Sequence, residues 1–342
     1  MKNYVEAFKE EADYRSNIDF QSLCTYGVKA LDDAFVAIAP DELVVIGACS
    51  GYGKSELALA ISRHNALKGK KVAHYHLEGG YKEAMQRIKW RDICDTYYAR
   101  HKGAMLQLNF RNWSLNKDVN PLLSRIEAEV YAELSDKLKD KLFFYDKPEG
   151  LTCDAFLESL LDFHDLETAF ANPHDARKKK GFDLDLVVID HLQYFSLDKD
   201  EDELQEITRI LKEAKRINET MQIPVILVSH LRKLPRGHGV PDKEDIYGTS
   251  NIHKVANTCI IIHPDHEKDR SQEGIYPTFI RVAKSRIGLR PNELIYCNFD
   301  AKNRKYEKTY EIVRCFPNGE VAPEPMPAGE RPMWYDGDRR EF

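Results

Sequence analysis

Residues 42–67 read ELVVIGACSGYGKSELALAISRHNAL. Glu42 to Ala48 is an aliphatic, β-branched run, the pattern of a strand covered on both faces. Ser55 to Leu67 follows a helical pattern. The loop between them, Ala48, Cys49, Ser50, Gly51, Tyr52, Gly53, Lys54 and Ser55, joins a strand tip to a helix N-terminus. Its glycines, Gly51 and Gly53, let backbone N–H groups curl around a polyphosphate, and the helix N-terminus faces the phosphate charge. Lys54 is placed to reach the β- and γ-phosphates and Ser55 to ligate Mg²⁺. The first loop position is Ala48, where the strict pattern carries Gly.

Outward from this loop, strand-like and helical stretches alternate. Lys71 to Leu77, Lys141 to Tyr145, Leu184 to Ile189, Pro224 to Ser229 and Thr258 to His263 read as further strands. Tyr81 to Tyr98, Ala155 to His164 and Asp202 to Met221 read as helices between them. Continuous apolar strands separated by helices predict an α/β protein with a mostly parallel central sheet flanked by helices. Thr278 to Ala283, Glu293 to Phe299 and Lys305 to Val313 are joined by turns, which predicts antiparallel strands at one edge.

A phosphate loop needs a carboxylate on the metal side, and Asp190 stands at the tip of LDLVVID (184–190). Hydrolysis also needs a group that orients and deprotonates water. Glu78 ends KVAHYHLE (71–78) before Gly79 and Gly80, so its carboxylate belongs at the strand-end edge where open α/β sheets bind ligands. By the same argument His230, after PVILVS (224–229), can touch the γ-phosphate and report its loss.

Composition sets limits on the rest. The 342 residues are 42% hydrophobic and 31% charged, enough for a full core. The formal charge of −6 confines any nucleic-acid contact to a local patch. Seven cysteines without a C-x-x-C pair read as reduced thiols. No apolar run approaches the ~18 residues of a membrane span, and MKNYVEAFKEE lacks the apolar stretch of a signal peptide, so a cytoplasmic protein without membrane contact is expected.

With these residues in view, the chain resembles the RecA-like motor domain of DnaB-family replicative helicases. The likeness rests on a Thr-Gly segment from Thr25, the phosphate loop, Leu77-Glu78, KLFFYDKPEGLT (141–152) and Ile189-Asp190-His191-Leu192-Gln193. It continues in Val228-Ser229-His230-Leu231, Gly248 to Ile252, and Lys284-Ser285-Arg286-Ile287-Gly288. Two departures stand out. The family's helical N-terminal domain, or the primase half of some relatives, has no counterpart, and Asn251 to Asn257 lacks the acids of the family's Ser-Ile-Glu-Gln-Asp-Ala-Asp.

The resemblance implies a RecA-like P-loop NTPase that binds ATP and Mg²⁺, with Glu78 as catalytic base. Lys284 and Arg286 would complete a neighbouring subunit's site in a homo-oligomer, a ring expected to be hexameric and to travel on single-stranded DNA. The basic loop LRKLPRGHGVPD (231–242) offers Arg232, Lys233 and Arg236 for backbone phosphates, or is simply a solvated loop. A RecA-like recombination ATPase and a KaiC-like signalling assembly without nucleic acid are the alternatives; Gly79 after Glu78 speaks against the latter. Residues 1–22 are expected as an arm or linker helix, 23–315 as the motor, and 316–342 as a flexible Pro-rich tail. That tail, tipped by Met333, Trp334, Tyr335 and Phe342, either docks on a primase, polymerase or other replisome protein or folds back through Trp334 and Tyr335. The single-module form suits a phage or mobile-element protein.

Overall fold

Strand β1 (Leu43–Ala48) is buried along its whole length and is flanked on both sides by parallel neighbours. The computed structural model describes residues 1–102, 106–145, 151–164, 181–195, 202–235, 238–248, 251–268, 274–286 and 293–335. Around β1 lie β2 (Val72–His76), β3 (Leu142–Phe144), β4 (Leu186–Asp190), β5 (Val225–His230) and β6 (Thr258–Pro264). The sheet continues through β7 (Ile275–Ser285), β8 (Glu293–Asp300), β9 (Lys305–Cys315) and β10 (Val321–Pro325). Among the described residues these strands form one sheet in the order β10-β9-β8-β7-β6-β1-β5-β4-β2-β3, parallel from β3 to β6 and antiparallel from β6 to β10. This is the expected architecture.

Alternate residues of the central strands serve opposite layers. Val44, Ile46, Val188 and Val228 pack with α2 (Lys29–Phe35) and α3 (Lys54–Leu67). Val45, Ile189 and Leu227 pack with α7 (Cys153–Leu160) and the helix Glu203–Met221, α8. The segment after Thr25 is pinned to α3, where the Asn65 carboxamide bonds both the amide and the carbonyl of Thr25 at 2.9 and 2.7 Å. At the chain start, α1 (Tyr4–Ser16) buries none of its residues.

A helical group outside the expected elements covers α4 (Gly80–Arg100). It comprises α5 (Phe110–Ser114) and α6 (Pro121–Leu138), joined to α4 through Trp90, Ile93, Trp113, Leu123, Ile126 and Val130. The start of α6 carries a local signal: Asn120 caps it by accepting from Leu123 N at 2.9 Å, and Pro121 takes the first turn.

The end of the described chain departs from the expected mobile arm. Residues 321–325 pair with the edge of β9, and Met326 is buried. Trp334 and Tyr335 pack on the main core, and Tyr335 donates its hydroxyl hydrogen to Tyr310 O at 3.2 Å. An edge strand tolerates Pro323 and Pro325 because neither must donate to a partner on its outer side. The fold-back reading of Trp334 and Tyr335 is the one observed; Asp336 to Phe342 lies outside the described residues. Met326→Ala should cost ~2 to 5 kcal/mol in urea unfolding, and deletion of residues 321–342 should lower the melting temperature. An unchanged melting temperature would return the segment to a free arm.

Candidate nucleotide site

The phosphate loop leaves β1 where the strand ends at Ala48. Gly51 and Gly53 hold φ values of +85° and +82°, which the curl requires and which other residues adopt only at a cost. Gly53 is limited by space as well, since a Cβ there would stand 3.2 Å from Tyr306 Oη. Lys54 opens α3 with its side chain almost wholly buried, and its ammonium lies 3.4 Å from Glu78 Oε2. Loop, Glu78 and Arg304 line a cavity of about 430 Å³. A larger cavity of about 670 Å³ between β2, β3 and α7 contains none of the phosphate-loop residues.

Asp190 comes to the same place through register. It is the partner of His76 across β2 and β4, and it is fully buried. Burial works to raise its pKa, but His76, whose Nδ1 lies 3.1 Å from Asp190 Oδ2, and the Ser55 hydroxyl overcome this and hold it at about 2. Both Asp190 oxygens are enclosed without a well-formed hydrogen bond. An ionised buried carboxylate next to the Ser55 hydroxyl fits the metal that accompanies a nucleoside triphosphate. His230 follows from the pairing of β1 and β5, which sets it beside Ala48.

Two contributors escaped the sequence reading. His191 is fully buried, its Nε2 lies 3.2 Å from Glu78 Oε2, and its ring is 4.2 Å from that of His230. Burial, with His230 and Lys54 adding to it, pushes the His191 pKa down, so the ring is neutral at neutral pH. Gln193 ties the tips of β4 and β5, donating to Ser229 Oγ at 2.8 Å and accepting from His230 N at 3.3 Å. His191 directly follows Asp190 and was visible as a motif member; its contact with Glu78 depends on strand order.

Comparison with known proteins adds what the chain is similar to. Residues 162–308 match the model of the DnaB-like helicase C terminal domain. The chain is similar to DnaB-like replicative helicases. It is 28% identical over 291 residues to a "Probable plasmid replicative DNA helicase" of Chlamydia psittaci, covering 83% of this chain and 56% of that protein. The replicative DNA helicase DnaB of Leifsonia xyli is 23% identical over 77% of this chain and 51% of its own. The chain thus spans about half the length of these relatives. The fold matches a structure described as the ATPase domain of G40P, with a TM-score of 0.66 at 17% identity over 90% of this chain and 98% of that one. A DnaB-like replicative helicase solved for its interactions with primase matches at 0.61 and 17% identity, over 83% of this chain and 61% of that one.

The remaining expected residues scatter. Arg286 is exposed just beyond β7, whose Ser285 pairs with Thr258, itself opposite Val44 at the start of β1. The four residues from Val44 to Ala48 put it about 13 Å along the sheet from its own phosphate loop, beyond the reach of an Arg side chain. Lys284 is committed elsewhere: its ammonium donates to His253 O and Ala256 O at 2.7 and 2.6 Å, closing the short helix α9 (Asn251–Val255). Its role as a second finger cation would require breaking these bonds. Arg232 and Lys233 are exposed, with the Arg232 guanidinium donating to Glu244 O. Arg281 anchors the far end of that loop by donating to Val240 O and Pro241 O, both at 3.1 Å. Arg236, Ile287 and Gly288 lie outside the described residues.

His191 is one of several buried or half-buried histidines held neutral. Burial pushes His64 and His263 to about 4 and His74 to about 3. Each takes up a proton near pH 6.5 when unfolded but resists it when folded, so the unfolded state binds more protons below that pH and stability falls. Asp32, raised by burial to about 6, acts in the opposite sense with Glu42 and Asp92, also raised by burial, but the lowered histidines, with His230 and His253 among them, outnumber these carboxylates. The melting temperature should therefore drop between pH 7 and pH 5, and His64→Gln should flatten the slope. A flat or inverted profile would show that these histidines are protonated in the fold.

Proposed function

We propose that this chain is the ATP-hydrolysing motor of a ring-forming helicase that travels on single-stranded DNA. The observation that carries the reading is the convergence of Lys54, Ser55, Glu78, Asp190 and His230 at the ends of adjacent strands. Because Lys54 sits 3.4 Å from Glu78, phosphate entering the loop competes for the ammonium and releases the Glu78 carboxylate to take a proton from water. Neutral His191 then keeps Glu78 oriented through Nε2. Ser55 and Asp190 would hold Mg²⁺, which would supply charge neutralisation at the phosphates. His230, beside Ala48, is placed to sense loss of the γ-phosphate.

Arg286 supports the oligomeric part of the proposal, since it cannot serve its own loop and is available to a neighbour's. A hexameric ring is the assembly we infer, with Arg232, Lys233 and Arg236 facing DNA backbone phosphates in the pore. Primase is a first partner to test, as it is for the structural neighbour described with one. Kinship with a plasmid helicase supports a mobile-element origin and a cytoplasmic setting. Similarity to DnaB-like helicases weighs against the recombinase and signalling alternatives.

Lys54→Ala and Asp190→Asn should each abolish Mg²⁺-dependent hydrolysis, while Glu78→Gln keeps nucleotide binding and loses ~10²-fold or more in turnover. Mixed oligomers of Arg286→Ala and Lys54→Ala should regain some activity at interfaces that pair the intact halves. Absence of recovery in proven mixed oligomers would sink the trans-acting arginine.

Neutralising Arg232, Lys233 and Arg236 together should weaken single-stranded DNA binding and reduce the slope of log affinity against log salt by up to about 2. Basal hydrolysis should persist. Unchanged DNA affinity would move the DNA contact to another loop.

A further inference from the structure

Behind the nucleotide site lies a second constellation that phosphate chemistry does not require. His74 and His76 are two apart on β2 and so share a face of the sheet, and Asp190 is the register partner of His76 on β4. One imidazole nitrogen from each histidine and one Asp190 oxygen lie within 4.8 Å of one another, and all three residues are more than nine-tenths buried. His74 Nε2, His76 Nδ1 and both Asp190 oxygens have no well-formed hydrogen bond. Orphaned polar atoms at this depth are costly, and three residues contributing them to one point call for a shared ligand.

The chemistry of the set selects the ligand. Two imidazoles and a carboxylate suit Zn²⁺ and its transition-metal neighbours, whereas Mg²⁺ prefers oxygen throughout. The 3.1 Å between His76 Nδ1 and Asp190 Oδ2 is close to the ~3.3 Å edge of a tetrahedron with bonds of about 2.0 Å. His74 has an outer-shell partner as well: its Nδ1 lies 2.7 Å from Ser62 Oγ on α3, which fixes the ring as such partners fix metal-bound histidines.

We propose that His74, His76 and Asp190 form a buried site for a divalent transition metal such as Zn²⁺, separate from the Mg²⁺ of the nucleotide but sharing Asp190 with it. Occupancy withdraws Asp190 from the nucleotide's metal, so the ion acts as a reversible inhibitor. That consequence rests on the function proposed above; binding itself does not.

The test uses the full chain, stripped with a chelator and free of nucleotide, titrated with Zn²⁺ alone against a chromophoric chelator. One equivalent should bind, with His74→Gln and His76→Gln each losing ~10²-fold or more in affinity, and Ser62→Ala about tenfold. Glu78→Gln and His230→Gln, which alter the neighbouring cluster of Glu78, His191 and His230, should leave affinity unchanged. Co²⁺ in the same site should show the strong visible bands of four-coordinate nitrogen and oxygen ligation, a readout on the unmutated protein that stands even where a histidine variant fails to fold. Absence of saturable binding, weak bands of octahedral type, or loss of affinity in His230→Gln but not His74→Gln would overturn the proposal.

Discussion

A fully buried, ionised carboxylate is the interaction on which the site depends. Asp190 has no exposed surface, and removing such a charge from water is among the largest penalties a fold can accept. The compensation comes from two neighbouring elements at once: His76 and His74 on β2, and Ser55 at the start of α3. Each must be in register for the others to help. The parallel pairing of β2 with β4 and of β4 with β5 is therefore both the scaffold and the means by which the charge is tolerated.

The same strand ends place Glu78 in a state ready for exchange. Its carboxylate is shared between the buried Lys54 ammonium and the neutral His191 ring, and it is partly open to solvent. Under the proposed function, a cation that must choose between a carboxylate and a phosphate links substrate arrival to release of Glu78. Gln193 joins the tips of β4 and β5 in the same layer, linking Ser229, Tyr247 and His230 through hydrogen bonds of 2.8, 3.2 and 3.3 Å.

The antiparallel half of the sheet serves a different purpose. From β6 onward the chain carries Arg286 to the end of the sheet remote from its own phosphate loop, while β9 receives β10 and the aromatic residues that follow. Such an extension places Arg286 away from the phosphate loop of its own chain. It also keeps Arg281 inside, where it anchors the loop that bears Arg232 and Lys233 to the sheet.

The phosphate loop, Asp190, Glu78 and the parallel sheet were legible in the sequence because each depends on local order: apolar run, glycines, Lys-Ser, helix, or a carboxylate at a strand end. The α5 and α6 pair lay outside that reading although Asn120 and Pro121 mark a helix start, because its apolar residues make sense only once Trp90 is known to face them. His191 on Glu78, Lys284 on the carbonyls of α9, and Tyr335 on Tyr310 join residues far apart in sequence. By itself the sequence determined the fold class and the residues of the phosphate-loop pattern, since those follow from strand and helix periodicity and backbone freedom at glycine. Tertiary structure alone decided which side chains are buried together, which cations are already spent, and that the proline-rich end returns to an open β9 edge, because burial and pairing are properties of strand order and register.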